Sequence, residues 1–268
     1  MPRQLIPVDE RSGMHIQRHG KSYIDLSSND YLGLSQSDPL KSAMIEATQR
    51  YGVGSTGSRL LSGDHRIIHE LESELAEWKG TESALVFNSG FQMNSGIFSA
   101  LFEPGTAFFI DRFVHASLID GIRLSGHRFF RFPHQDLHAL GQKLASERSH
   151  YTRAVIVTES VFSMDGTLTD IDELISIAEK HQSEIMIDEA HAVGVYGNKG
   201  EGLAASKGIR YQLGTFGKAM GGAGGFICLP QDEKAKLIDQ CRSFIYSTAL
   251  PIPVLATQAA ALSWIQGP

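Results

Sequence analysis

Cysteine is scarce in this chain: Cys228 and Cys241 are the only two among 268 residues. They make no disulfide framework, and a reducing cytoplasm suits them. No basic block is present. Net charge is -6 with the two signs interspersed, which argues against nucleic acid and against an anionic membrane as partners. Long apolar runs are also missing. The longest apolar-looking stretch, 249–265, is broken by Pro251, Pro253, Thr257 and Gln258. A spanning helix needs about 20 mostly apolar residues. Met1-Pro2-Arg3-Gln4 has no apolar core of the signal-peptide kind. There is no internal repeat, no low-complexity tract and no Gly/Ser/Pro linker. No His/Cys grouping has metal-ligand spacing, so no metal is expected, and no serine sits in a nucleophile elbow.

What is present is alternation. The length allows one large α/β domain or two small ones, with roughly 75% of the unfolded surface buried. Short apolar runs predict strands at Ala84–Phe87, Ala107–Ile110, Arg128–Phe132, Ala154–Thr158, Glu184–Ile187, Gln212–Thr215 and Gly225–Leu229. Helix signals lie between them. Asp38-Pro39 opens one as N-cap and first-turn proline, and Gly52 closes it. His65 to Lys79 reads as a second, followed by Gly80. Asp136 to Ser149 and Asp170 to Gln182 each begin on an aspartate that can cap, and Pro253 to Ile265 reads as a last one. The carboxylates on Glu70–Glu77, and the histidines outside the motifs below, read as solvated helix faces. The fold class expected is α/β, with a mostly parallel seven-stranded sheet covered on both faces.

Such sheets bind ligands beyond the carboxyl ends of their strands. Asp188 stands at one such end, followed by His191. Thirty residues on, Lys218 sits in a bed of small residues, Gly217 to Gly225, which reads as room for a flat ligand. A lone amine, a carboxylate and an imidazole suit pyridoxal phosphate: the lysine for a Schiff base, the aspartate for the ring nitrogen. Thr215, three residues before the lysine, can bond a phosphate. Without these partners Lys218 would be an ordinary surface lysine in a turn. Asp188-Glu189-Ala190-His191 also matches the metal box of helicase-type ATPases, but these need an earlier G-x-x-x-x-G-K-[ST] loop and none is present.

Three weaker motifs point the same way. Ser89-Gly90-Phe91 follows a strand and opens a helix, where backbone N–H groups and the helix dipole favour a phosphate. His115 follows another strand and can lie flat on an aromatic ring, or merely cap a helix. Ser163, in Phe162-Ser163-Met164-Asp165-Gly166, can donate to a cofactor oxygen, although Asp165-Gly166 is first a turn signal.

Taken together, the chain resembles the α-oxoamine synthases, pyridoxal phosphate enzymes of the aspartate-aminotransferase fold (fold type I). The matching motifs run from Ser28-Asn29-Asp30-Tyr31-Leu32-Gly33-Leu34 and Gly57-Ser58-Arg59-Leu60-Leu61-Ser62-Gly63 through Asn88-Ser89-Gly90-Phe91 and His115-Ala116-Ser117. They continue through Ser163-Met164-Asp165-Gly166, Asp188-Glu189-Ala190-His191 and Thr215-Phe216-Gly217-Lys218 to Tyr246-Ser247-Thr248-Ala249-Leu250-Pro251. The resemblance implies pyridoxal 5'-phosphate as cofactor, Lys218 as the lysine that carries it, Asp188 on its ring nitrogen and His191 on its ring hydroxyl. It implies His115 stacked on the ring, Gly90, Phe91 and Thr215 at the phosphate, and Ser163 on the ring-oxygen side. Arg3 falls where the family has a substrate-binding arginine, with His115 also touching substrate. Ser247 and Thr248 fall where the family reaches a partner subunit's cofactor, which implies a homodimer.

Within the family the chain is most similar to the biotin-pathway branch. That branch condenses L-alanine with a pimeloyl thioester of coenzyme A or acyl carrier protein, in the cytoplasm. Glycine C-acetyltransferases tend to have cysteine where Ser89 or Ser62 stands, and aminolaevulinate synthases Gly-Thr-Arg where this chain has Gly57-Ser58-Arg59. The expected division is an N-terminal segment, 1–35, whose helix looks short, and a cofactor-binding large domain, 36–268. The family continues into a C-terminal domain that this sequence would lack. A fragment or a natural truncation is expected, and with it a second reading: a non-catalytic protein that binds the cofactor or pairs with a full-length partner.

Overall fold

The computed structural model describes residues 2–267. Its first ordered element is an antiparallel meander, β1 (Glu10–Ser12), β2 (His15–Arg18) and β3 (Lys21–Ile24). Among the described residues the expected N-terminal helix does not form. His19 and Gly20, both at positive φ, make the two-residue turn that matches the twist of a hairpin. Gln36 ties the meander down, accepting from Gly13 N–H at 2.9 Å and donating to the Arg11 carbonyl at 2.9 Å. The meander is mostly exposed and has no apolar alternation, so hydrophobic periodicity could not reveal it.

Helix α1 (Asp38–Tyr51) starts one residue earlier than the sequence suggests. Ser37 is its N-cap, with Asp38 and Pro39 already inside the first turn. Then follow α2 (Arg66–Lys79), β4 (Ser83–Phe87), α3 (Gly90–Leu101), β5 (Thr106–Asp111), α4 (Ala116–Ser125), β6 (Arg128–Phe132) and α5 (Leu137–Glu147). Next come β7 (Arg153–Glu159), α6 (Ile171–Lys180), β8 (Glu184–Asp188), β9 (Tyr211–Thr215), β10 (Gly225–Leu229), α7 (Gln231–Gln240), α8 (Arg242–Ile245) and α9 (Ile252–Gln266). All seven expected strands are present, in the order β4-β10-β9-β8-β7-β5-β6. Only β10 runs antiparallel to its two neighbours.

Strand side chains alternate between two cores. On β5, Phe108 and Ile110 enter one core while Ala107 and Phe109 enter the opposite one. On β7, Val155 and Val157 face the first and Ala154 and Ile156 the second. Burial on both faces explains why these strands read as unbroken apolar runs. One expectation is overturned here. Glu72 is not solvated: it is buried in α2, where its carboxylate accepts from Arg59, from Lys234 Nζ at 2.8 Å and from Val86 N–H at 3.0 Å. A carboxylate among three donors needs no water. Likewise His134 lies in a loop, bonded to Asp111 Oδ1 at 3.0 Å and Thr167 Oγ1 at 2.9 Å.

Candidate functional site

The carboxyl ends of the parallel strands form one edge, and the site is built along it. β4 delivers the start of α3. There Ser89 Oγ accepts from Gln92 N–H at 3.1 Å and the Ser89 carbonyl from Met93 N–H at 3.0 Å. The N–H groups of Gly90 and Phe91 have no such partner among the described residues, and these two residues line a cavity of about 160 Å³. β5 delivers His115, the N-cap of α4, whose Nδ1 lies 2.7 Å from Ser117 Oγ. β8 ends on Asp188, and β9 leads through Thr215 to Lys218. His115, Asp188, His191, Thr215 and Lys218 line the same cavity. Register explains how: Glu159 and Asp188 are paired across β7 and β8, and Asp188 with Leu213 across β8 and β9.

The expected roomy glycine bed is not what the lysine loop provides. A Cβ on Gly221 would meet Ser35 N at 2.5 Å, and one on Gly222 would meet Gln258 Nε2 at 1.9 Å. These glycines let the loop press against the N-terminal segment and α9. Room for a ligand lies on the other side, towards Gly90. Thr215 Oγ1 donates to the Gly224 carbonyl at 2.9 Å and accepts from Gly217 N–H at 3.2 Å, which braces the loop.

Electrostatics divide the cavity: the buried acids at the ends of β7 and β8 suit a group that brings a proton or a positive charge, and the free N–H groups at the start of α3 suit an anion. Burial pushes the Asp188 carboxyl above the ordinary carboxylate range, against the pull of Lys218 and of the Ala190 N–H that it accepts at 2.9 Å. Burial and the neighbouring Asp188 push Glu159 up to about 8. Burial lowers Lys218, with Asp188 and Glu159 opposing, and burial with Lys218 and His115 brings His191 down to about 4. Lys218 Nζ lies 2.6 Å from His191 Nε2. Asn94 Oδ1 in the cavity wall is buried without a partner. Pyridoxal phosphate fits this donor set: an amine for its aldehyde, a buried carboxyl awaiting a cationic ring nitrogen, and a helix N-terminus for its phosphate.

Other expected site residues lie apart. Ser163 is exposed on the loop after β7 and Arg3 is exposed before the meander; neither lines the cavity. Ser247 and Thr248 lie outside it too, where Asn88 Nδ2 donates to Ser247 Oγ at 3.1 Å and to the Thr248 carbonyl at 2.7 Å. Conversely, sequence reasoning passed over Glu159, Asn94 and Ser117. Glu159 accepts from the His115 N–H at 2.6 Å and is 3% exposed. Its signal was available: an acid one residue past a predicted strand, level with Asp188.

Glu159 gives a pH prediction for the cofactor-free protein. Its folded pKa lies above its unfolded value, so its contribution to stability is complete below about 4.5 and is lost as pH rises through about 8. Thermal unfolding followed between these limits should show melting temperature falling with pH. In Glu159→Gln the fall should be shallower, because Asp188 also loses a like charge. An equally steep fall in the variant would show that Glu159 does not titrate there.

Comparison with known proteins fits this architecture. Residues 21–266 match the family described as aminotransferase class I and II. The 8-amino-7-oxononanoate synthase of Geobacter sulfurreducens is 44% identical over 99% of this chain and 69% of its own length. That of Trichlorobacter lovleyi is 42% identical over 96% of this chain and 66% of its own length. Among solved structures, a serine palmitoyltransferase variant from S. paucimobilis with a bound PLP-myriocin aldimine superposes with a TM-score of 0.93 at 29% identity, covering 98% of this chain and 67% of its own. The 8-amino-7-oxononanoate synthase of Francisella tularensis superposes with a TM-score of 0.77 at 33% identity, over 90% of this chain and 68% of its own. Fold, cavity and sequence agree: this chain belongs to the class I and II aminotransferase family, in its α-oxoamine synthase branch.

Proposed function

We propose that this protein is a pyridoxal phosphate-dependent acyltransferase of biotin biosynthesis. It condenses L-alanine with a pimeloyl thioester, releasing carbon dioxide and the thiol and giving 8-amino-7-oxononanoate. The observation that carries this reading is the convergence of Lys218, Asp188 and His191 in one cavity at the sheet's carboxyl edge, in a chain 44% identical to an enzyme of that name.

When bound, the cofactor supplies an electron sink for the carbanion at the alanine Cα. The protein does the rest. Lys218 holds the cofactor and then takes the Cα proton, a base's role for which burial lowers its pKa in the needed direction. Asp188 keeps the ring nitrogen protonated from the end of β8. The N–H groups of Gly90 and Phe91 take the phosphate, with Thr215 beside them, and the exposed ring of His115 covers the cofactor and meets the substrate. Ser163 and Arg3 serve the ring oxygen and the substrate from loops outside the cavity wall. Ser247 and Thr248, which do not line their own chain's cavity, serve the partner's cofactor in a homodimer. Residues 1–35 form an N-terminal segment and 36–268 the cofactor-binding domain, and the protein works in the cytoplasm.

The test adds pyridoxal phosphate and records the absorbance near the visible edge. It then follows thiol release from pimeloyl thioesters of coenzyme A and of acyl carrier protein, with and without L-alanine. An absorbance band and alanine-dependent release are expected. No band, or release indifferent to alanine, would sink the proposal. Faster release with glycine and an acetyl thioester would move the protein to the glycine C-acetyltransferase type.

A further inference from the structure

Lys218 has to hold a proton at one moment and surrender it at another, from a half-buried position. A chain of hydrogen bonds leads away from it. Nζ lies 2.6 Å from His191 Nε2, and His191 Nδ1 lies 2.7 Å from the hydroxyl of Tyr31. That hydroxyl is 3.2 Å from Asn29 Oδ1. Tyr31 is 45% exposed, so the chain ends at water. Tyr31 and Asn29 belong to the N-terminal segment, 160 or more residues away in sequence from His191.

We propose that His191 and Tyr31 form a proton path between Lys218 and solvent, with Tyr31 as the positioning residue that sets the His191 tautomer. The donor count requires this order. An ammonium has donors and no acceptor, so Nε2 must accept and Nδ1 must carry the ring hydrogen. Nδ1–H then donates to Tyr31 Oη, and the single tyrosine hydrogen is left for Asn29 Oδ1. Each of the three bonds along the chain then has one donor and one acceptor.

Release follows the same bonds. An N–H bond of the Lys218 ammonium breaks as one forms at Nε2. The Nδ1–H bond breaks as an O–H bond forms at Tyr31, and the original O–H bond of Tyr31 breaks, its hydrogen leaving Asn29 Oδ1 for water at the exposed side of the ring. One proton has left the lysine, no group on the path keeps a charge, and His191 now presents N–H at Nε2 while Nδ1 accepts from Tyr31. His191 thereby faces the cavity as a donor once Lys218 is neutral. The reverse sequence returns a proton. Two further facts suit a neutral relay: burial, with Lys218 and His115 adding to it, brings His191 down to about 4, and burial raises the Tyr31 hydroxyl. Asp188 and Glu159 are the acids that act on the lysine end.

The purpose of the path rests on the cofactor reading above, but the tautomer does not. Nitrogen-15 NMR of the histidine rings in cofactor-free protein, with His191→Gln for assignment, reads the tautomer directly. Nδ1–H is expected for His191 in the parent protein, and a shift towards a tautomer mixture in Tyr31→Phe, whose ring cannot accept. Stopped-flow absorbance on adding pyridoxal phosphate should show loading slowed roughly 10-fold in Tyr31→Phe, with the same final band. Unchanged nitrogen shifts overturn the proposal, and so does an unchanged loading rate. Slower loading with unchanged nitrogen shifts overturns it too, since the ring would then act by packing alone. Absence of the band in the parent protein would remove the cofactor reading and leave the NMR result to decide the tautomer.

Discussion

Lys218→Ala should abolish covalent cofactor capture and lower alanine-dependent turnover by about 10³-fold or more, because it removes both the nucleophilic amine and the base. The measurement is borohydride reduction of protein incubated with pyridoxal phosphate, followed by peptide mass analysis. The parent protein should carry the added mass on the peptide containing Lys218, and the variant should carry none. Folding is not at issue. The Lys218 side chain donates to His191 and supports no core, while the turn around it is held by the backbone bonds from Gly221 N–H to the Lys218 carbonyl at 2.9 Å and from Gly222 N–H to the Phe216 carbonyl at 2.8 Å. A small primary amine added to the variant should restore part of the turnover. Labelling of a different lysine in the parent protein would defeat the assignment. Lys218→Arg sharpens the case: it keeps a cation near Asp188 and Glu159 but offers no nucleophile, so it should capture no cofactor either.

Much of this site was legible because strand ends can be read from sequence. Asp188 closes an apolar run, and a strand that ends on a carboxylate at the ligand edge of a parallel sheet is by itself a functional signal. Lys218 was legible by its motif, though for a reason the structure revises: Gly221 and Gly222 serve close packing against Ser35 and Gln258, not space for a ligand. Glu159 and Tyr31 were harder. Glu159 matters through its pairing with Asp188 across β7 and β8, which is a matter of register. Tyr31 matters through a bond to a residue far along the chain. The meander escaped because its strands bury almost nothing, so they carry no period-2 apolar signal. Glu72 was misread for the opposite reason. On a helical wheel it falls with the buried Ile68, Leu71 and Leu75, opposite Glu70, Glu74 and Glu77, so its position pointed inward while its charge pointed outward; only the approach of Arg59, Lys234 and the β4 backbone gives it donors.

The largest stability effect is expected at Lys79→Met. Lys79 ends α2, and its ammonium is fully buried against the equally buried carboxylate of Glu189, the residue between Asp188 and the turn that carries His191. Lys79 Nζ also donates to the Glu201 carbonyl at 2.5 Å. Glu189 Oε1 accepts from the N–H groups of Leu203 and Ala204 at 2.7 and 3.0 Å. The pair therefore clamps three segments together: the end of α2, the turn after β8 and the loop at 201–204. Removing the lysine strands a buried anion, which costs about 3–5 kcal/mol. For a chain of this size that is a fall in melting temperature on the order of 10 °C. Lys79→Met/Glu189→Gln should recover more than half of the loss, because the amide keeps an oxygen for Leu203 and Ala204 and carries no charge. Differential scanning calorimetry of the three proteins decides it. A single variant that melts with the parent would mean that the pair is solvated and does not clamp the turn. The cofactor should register the same damage, since Asp188 and His191 flank the stranded anion: pyridoxal phosphate should bind more weakly to Lys79→Met than to the double variant. Affinity that follows stability across the three proteins would place the clamp beneath the site, as the geometry does.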